Sequence, residues 1–392
     1  MLHAFTHLYG VALLPLYLRI QADLNLAGVE QATLLVTVMG LAYFLPSYPL
    51  GVLADRLSRK KLLATGLAIN AAGFVGLAFA PGFGWSMAAV IIAGFGGSFY
   101  HPCATALIAK LFPEARGRAL GLLGVGASIG FFLGPLYTGW RVMSAESWRV
   151  PVLELGVLGV VAAIAFAWFA KEETDRAGET GPSVVDKPLR MFPTVTVWIL
   201  FVGMSLLFSL RDFAGSAMGT TASLFLQWAH GFNPKFTGTA LAGLFLMSAV
   251  SNPLFGHLSD RGRLRWILLV LVCAALLINL FPRVPGTWAV PVLFAYGFFF
   301  MACYPMTEAA LMDAVPDAVR GRVIGLFITL AGVVANISHW VSGKWVEHLG
   351  QDAALASHYY PWFAALSGMI MASLLGLPLL YALARKTGSS NK

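Results

Sequence analysis

Arg211, Asp212 and Glu308 stand in stretches that are otherwise apolar, and their side-chain types define the chemistry open to them. A guanidinium offers planar, paired donors that hold a carboxylate or phosphate in a bidentate way. A carboxyl group removed from water can bind and release a proton near neutral pH. Arg211 is therefore read as a docking cation for an anionic substrate, against the plainer role of an ion pair with Asp212, Glu308 or Glu154. Glu308 is the first choice for carrying a proton, with Asp212 either a second proton site or the neutraliser of Arg211. Adjacent residues on a helix project about 100° apart, so Arg211 and Asp212 are expected not to form an intimate pair, and at least one is expected to face a cavity. His7 and His101 add imidazoles that titrate near neutral pH and could meet a substrate or relay a proton, against simple packing. Tyr100 and Tyr304 lie beside Pro102 and Pro305, where helices bend, and complete the candidate substrate-binding set.

These groups need elements to position them, and composition says what solvent surrounds those elements. The 392 residues are 58% apolar and 11% charged, far from the balance of soluble domains. Apolar runs of about 20 residues recur, each long enough to cross a hydrocarbon core as a helix. Twelve spans are predicted, near 2–21, 29–53, 61–80, 84–110, 117–140, 150–170, 193–229, 235–257, 264–282, 288–312, 320–343 and 360–384. The expected domains are a six-helix bundle over 1–170, a polar linker over 171–192, and a second six-helix bundle over 193–392. The first run shows no small-residue cleavage site of a signal peptide. His7 falls near mid-membrane, so either the first span is short or the natural chain begins earlier.

The net charge of +8 could suggest nucleic acid, but its distribution indicates topology instead. Of the 26 Lys and Arg residues, nineteen fall in loops on one side of the predicted spans and six on the other, with Arg211 left over inside a span. Cytoplasmic loops retain cations, so both termini and the linker are expected on the cytoplasmic side of a cell (inner) membrane. Cys103, Cys273 and Cys303 lack metal-ligand spacing. No H-E-x-x-H or Walker sequence occurs, so neither a metal nor ATP-driven work is expected.

The two halves repeat. GVLADRLSRKK from Gly51 corresponds to GHLSDRGRLRW from Gly256, RGRALGL from Arg116 to RGRVIGL from Arg320, and Tyr100-His101-Pro102 to Cys303-Tyr304-Pro305. With these anchors the chain resembles the major facilitator superfamily, whose members carry a G-x-x-x-D-R-x-G-R-[KR] loop after the second helix and often after the eighth. Gly51, Asp55, Arg56, Arg59 and Lys60 match; Ser58 stands where the pattern has Gly, while the second copy has Gly262. The resemblance implies a cytoplasmic latch in which Asp55 pairs with Arg116 or Arg118, with Gly256, Asp260 and Arg261 as the repeated set. Gly130, Gly134, Pro135 and Gly139 resemble the fifth-helix signature of proton-coupled antiporters, and the region around Ser338 and His339 lacks it. GFGGSFYHPCATALIAKLFPEARGRALGL looks like the fourth-helix region of the fosmidomycin-resistance group of efflux transporters, although no buried arginine occupies Gly94 to Ala104.

What the resemblance implies is an all-α membrane protein of two pseudo-symmetric bundles. It would be a monomeric secondary transporter without cofactor, exchanging protons for a small drug-like or anionic compound by alternating access and exporting it. Uptake of a metabolite anion on the same fold is the first alternative, favoured if Arg211 docks substrate. A non-transporting receptor or an intramembrane enzyme is the second.

Overall fold

The computed structural model describes residues 1–47, 49–50, 57–111, 116–170, 191–316 and 319–387. All their regular structure is helical, with no strand among them. In the first half run α1 (Leu2–Ala12), α2 (Tyr17–Asp23), α3 (Val29–Phe44), α4 (Arg59–Ala78), α5 (Phe83–Gly97), α6 (Tyr100–Leu111), α7 (Arg116–Ala145) and α8 (Arg149–Phe169). In the second run α9 (Val195–Trp228), α10 (Pro234–Ser259), α11 (Arg263–Leu280), α12 (Gly286–Asp313), α13 (Arg320–Leu349), α14 (Tyr360–Ser373) and α15 (Gly376–Lys386). Among the described residues nine helical segments are long and apolar enough to cross a membrane. The other predicted spans correspond to α1 with α2, to α3 and to α7. Val157, Leu158, Val161 and Ile164 of α8 point outward, as expected where hydrocarbon is the solvent.

Three spans are each split in two, and proline explains all three breaks. A proline ring clashes with the carbonyl four residues earlier and leaves that carbonyl without its N–H. Pro15 lies just past the break at Leu13, Pro102 four residues after Ser98, and Pro378 four residues after Leu374. The expected bend at Pro102 is thus a full interruption between α5 and α6, whereas Pro305 sits inside an unbroken α12.

The repeated loops reach the same end by different local physics. Ser58 caps α4 with its own hydroxyl, which accepts from Lys61 N at 3.3 Å. Gly262 caps α11 with a left-handed backbone, φ +84°, a conformation that glycine adopts without steric cost. The link from aspartate to cap is one residue shorter in the second copy, Asp260 to Gly262, than in the first, Asp55 to Ser58. Arg263 pairs with Asp313 and lies 4.0 Å from Asp260, tying this loop to the end of α12. Gly51, Asp55 and Arg56, and the side chains of Arg116 and Arg118, lie outside the described residues.

The two halves meet along α3 with α13 and along α7 with α10. We call the end near residues 170 and 191 the linker face and the opposite end the distal face. At the distal face, Glu347 Oε2 of α13 accepts from Val29 N of α3 at 2.7 Å. One half thus supplies a carboxylate to the N-terminus of a helix in the other. Lower down, Thr37 Oγ1 donates to Asn336 O at 2.8 Å and accepts from Trp340 N at 2.9 Å. Ser128 and Ser248 hydroxyls lie 3.3 Å apart, and Phe131 stacks on Phe245 at 5.1 Å. Counted from Ala145, these last contacts lie 14 and 17 residues down α7, about 21 to 25 Å at the helical rise.

The centre of this seam belongs to Tyr17, Thr220 and His339, all buried. Thr220 Oγ1 lies 3.1 Å from Tyr17 OH and 2.6 Å from His339 Nδ1, joining α2 to α9 and α13. Ser223 Oγ donates to Leu14 O at 2.6 Å. An anionic group at a helix N-terminus contributes about 1 kcal/mol, which corresponds to roughly a fivefold population change. Glu347→Ala is therefore expected to shift the chain about fivefold toward an open distal face. Spin-label distances between the distal ends of α3 and α13 would show it.

Candidate functional site

Two polar clusters lie deeper in the bundle than most of the seam, one in each half. In the second half Arg211 is 1% exposed and Asp212 4% exposed, midway along α9. Arg211 Nε donates to Asp212 Oδ1 at 3.0 Å, and a second guanidinium nitrogen lies 2.9 Å from the same oxygen. Its remaining end donates to Thr307 Oγ1 of α12 at 2.8 Å, and Thr307 in turn donates to Cys303 O at 2.7 Å. Tyr304 and Phe208 flank the guanidinium, their ring centres 4.8 and 5.3 Å from its carbon.

The expectation that Arg211 and Asp212 would not pair is thus corrected. A 100° offset separates Cβ directions, but a guanidinium on three methylenes reaches back across that angle once burial makes an unpaired charge costly. Nor does either residue face an open cavity in this conformation; both are sealed. Of the other partners considered for Arg211, Glu154 is held by Arg141 at 2.8 Å, and Tyr137 OH donates to it at 2.6 Å.

Glu308 follows Thr307 on α12 and is only partly buried. It makes no hydrogen bond or ion pair among the described residues. Arg263, a cation from the linker face, is directed to Asp313 instead. The second half therefore holds a neutralised pair and, next to it, a partly buried carboxyl group.

In the first half His7 and His101 come together, as members of one cluster with His3. His3 and His7, one helical turn apart on α1, have their Nε2 atoms 3.0 Å apart. His101 of α6 meets His3 edge-on at 5.4 Å and His7 at 5.7 Å between ring centres. Tyr100 stacks on His3 at 4.7 Å, Phe131 packs on His7 at 4.4 Å, and Tyr43 stands edge-on to His101 at 6.0 Å. The structure places Tyr100 and Tyr304 in different halves, each beside its own cluster.

The glycines of α7 allow this arrangement. A Cβ at Gly130 would strike the backbone of Ala4, and one at Gly134 the backbone of Leu8, so α1 lies directly on α7. Gly139 faces the other half: a Cβ there would meet the Pro234 carbonyl and come within 3.1 Å of the Gly238 α-carbon. Pro135 joins that crossing through its carbonyl, which crowds Gly238. Gly139→Val overpacks a backbone-to-backbone contact, a change that typically costs about 1–3 kcal/mol. It is expected to raise labelling of a cysteine introduced in the distal half of α10, and unchanged labelling would refute this account of the seam.

Comparison with known proteins agrees with this architecture. The sequence profile of the Major Facilitator Superfamily matches residues 1–339. This chain belongs to that superfamily. It is 26% identical over 289 residues to the quinolone resistance protein NorA of Staphylococcus aureus, which covers 72% of this chain and 71% of the relative. To the multidrug resistance protein MdtH of Shigella boydii it is 25% identical over 314 residues, or 77% and 74% of the two chains. Among solved structures, a bacterial homolog of the human lysosomal transporter Spinster, crystallised inward-facing and unoccupied, superposes with a TM-score of 0.75 at 16% identity, over 98% and 95% of the chains. The nucleoside transporter NupG superposes with a TM-score of 0.68 at 18% identity, over 100% and 98%. The superfamily member described here is accordingly a multi-pass membrane transporter of small molecules and not an enzyme.

Sequence reasoning missed His3, Thr307 and Tyr43. For His3 a signal existed, since its four-residue spacing from His7 puts both on one helical face. Thr307 and Tyr43 carry no signal in a single sequence.

Proposed function

We propose that this transporter is a proton-coupled exporter of small drug-like or anionic compounds, resident in the cell (inner) membrane with both termini and the linker in the cytoplasm. Glu308 carries the reading: a half-buried carboxyl group without an ion pair, adjoining a buried Arg211–Asp212 pair, is what a proton carrier beside a substrate site requires. Proton uptake by Asp212 or Glu308 and occupation of the site by substrate are proposed to exclude one another, so that a proton entering from the outer face accompanies release of the substrate there. Glu308 passes protons to and from this pair. Tyr304, Tyr100, His7 and His101 are proposed to line the substrate's path. The resistance functions named for NorA and MdtH support efflux. The excess of cations at the linker face supports the orientation, and the closed distal face then makes this conformation inward-facing. The latch formed by Asp55 with Arg116 or Arg118, with Asp260 as its counterpart in the repeat, is proposed to close the linker face in the opposite state.

Right-side-out vesicles with an imposed inward proton gradient provide the test. Extrusion of a preloaded quinolone or organic anion, faster than without the gradient, is the expected result. Accumulation inside the vesicles would replace this reading with uptake. A monomer of 42.0 kDa is expected in detergent by light scattering.

A further inference from the structure

In export, His7 and His101 serve only as part of a wall, and His3 has no part. Three imidazoles from two helices nevertheless converge here. One ring nitrogen from each of His3, His7 and His101 lies within 4.8 Å of the other two. Imidazole binds zinc and its neighbours in the first transition row at about 2.0–2.1 Å, so two ligands on a tetrahedral ion stand roughly 3.4 Å apart. His3 and His7 are at 3.0 Å already. His101 needs to approach by about an ångström, within reach of rotation about its side-chain torsions. Neutral imidazole pairs are compatible with this: the proton shared between the two Nε2 atoms moves to the Nδ1 of its own ring, and both Nε2 lone pairs turn to the ion without loss of a proton from either histidine.

We infer that His3, His7 and His101 form a binding site for a divalent transition-metal cation of the zinc, cobalt or nickel class, with an exogenous anion as fourth ligand. The anion follows from charge. Among the described residues no carboxylate joins the three histidines, and the rings that contact them include Tyr100, Phe131 and Tyr43. A doubly charged ion among neutral ligands and aromatic rings is stabilised by a negatively charged partner. Three protein ligands leave one tetrahedral position for it. His7 and His101 are half-buried while His3 is buried, so the cluster is more accessible on its His7 and His101 side. The sequence alone gave no indication of a metal, because His3 and His7 share a helical turn while His101 lies 94 positions beyond His7.

Titration of the untagged full-length chain with Co²⁺ tests the inference. The expected result is one saturable site per chain with the intense visible bands of four-coordinate cobalt, shifted by added azide and abolished by equimolar Zn²⁺. His7→Gln and His101→Gln keep side-chain volume, and each should weaken Co²⁺ binding by about 100-fold, the upper end of what loss of an outer-shell partner costs a metal site. Zinc-edge X-ray absorption of the wild-type chain, which needs no variant, should give three imidazoles. Weak six-coordinate spectra, indifference to azide, unchanged binding in both well-folded variants, or fewer than three imidazoles would each overturn the site. None of these readouts depends on transport, so the site stands or falls separately from export.

Discussion

Arg211→Leu is expected to destabilise the transporter by about 3–5 kcal/mol, the usual consequence of leaving one member of a buried ion pair behind. Asp212, 4% exposed, would lose the guanidinium that contacts its Oδ1, and Thr307 Oγ1 would lose its donor. The size of the loss reflects stranding of a charge more than the worth of the pair itself. The double variant Arg211→Leu with Asp212→Leu removes both charges and should recover most of the stability, because well-packed apolar replacements of buried pairs are often neutral. Equilibrium unfolding of the three proteins in detergent is the measurement. A double variant as unstable as the single one would show that the loss comes from packing against Phe208 and Tyr304.

The second large effect is on coupling. Glu308→Gln keeps shape and removes the titratable proton, so gradient-driven transport is expected to fall at least tenfold, about the effect of 1.4 kcal/mol. Exchange of labelled for unlabelled substrate without a gradient should continue. Glu308→Asp should retain partial coupling. If Glu308→Gln pumps as the wild type does, Asp212 is left as the coupling carboxylate, and Glu308 is merely a tolerated polar residue at the edge of the cluster.

Both predictions concern residues that stood out in the sequence, and the spans that carry them were legible for the same reason. Charges are scarce where lipid is the solvent, so apolar runs outline α4 or α12 and leave Arg211 conspicuous. Prolines 15, 102 and 378 were visible as well, although single-sequence reading predicts only that a helix yields near them, while Pro305 shows the same residue within a continuous helix. Pairing was not legible. Angular offset along α9 argued against contact between Arg211 and Asp212, and side-chain length overrode it. Contacts across the seam, such as Thr37 with Asn336 or Gly139 with Gly238, join residues about 100 to 300 positions apart. Their types, hydroxyl, amide and glycine, are common enough in membrane helices to carry no message alone.

The depth of the distal seam has an electrical consequence. Where helices are packed tightly the medium is a poor conductor, and where water enters the medium is nearly at one potential, so the membrane voltage drops mainly across the closed part. The seam reaches 17 residues down α7, whereas Glu308 lies 22 residues from the distal start of α12 and five from its other end. A proton reaching Glu308 from the linker face thus crosses only about a fifth of the helix length, and at most roughly 0.5 of the 2.3 kcal/mol that 100 mV supplies per charge. Most of the remaining work is done when the seam opens and the drop transfers to the opposite side. The reorientation of the halves, not the arrival of the proton, is then the step that responds to membrane potential.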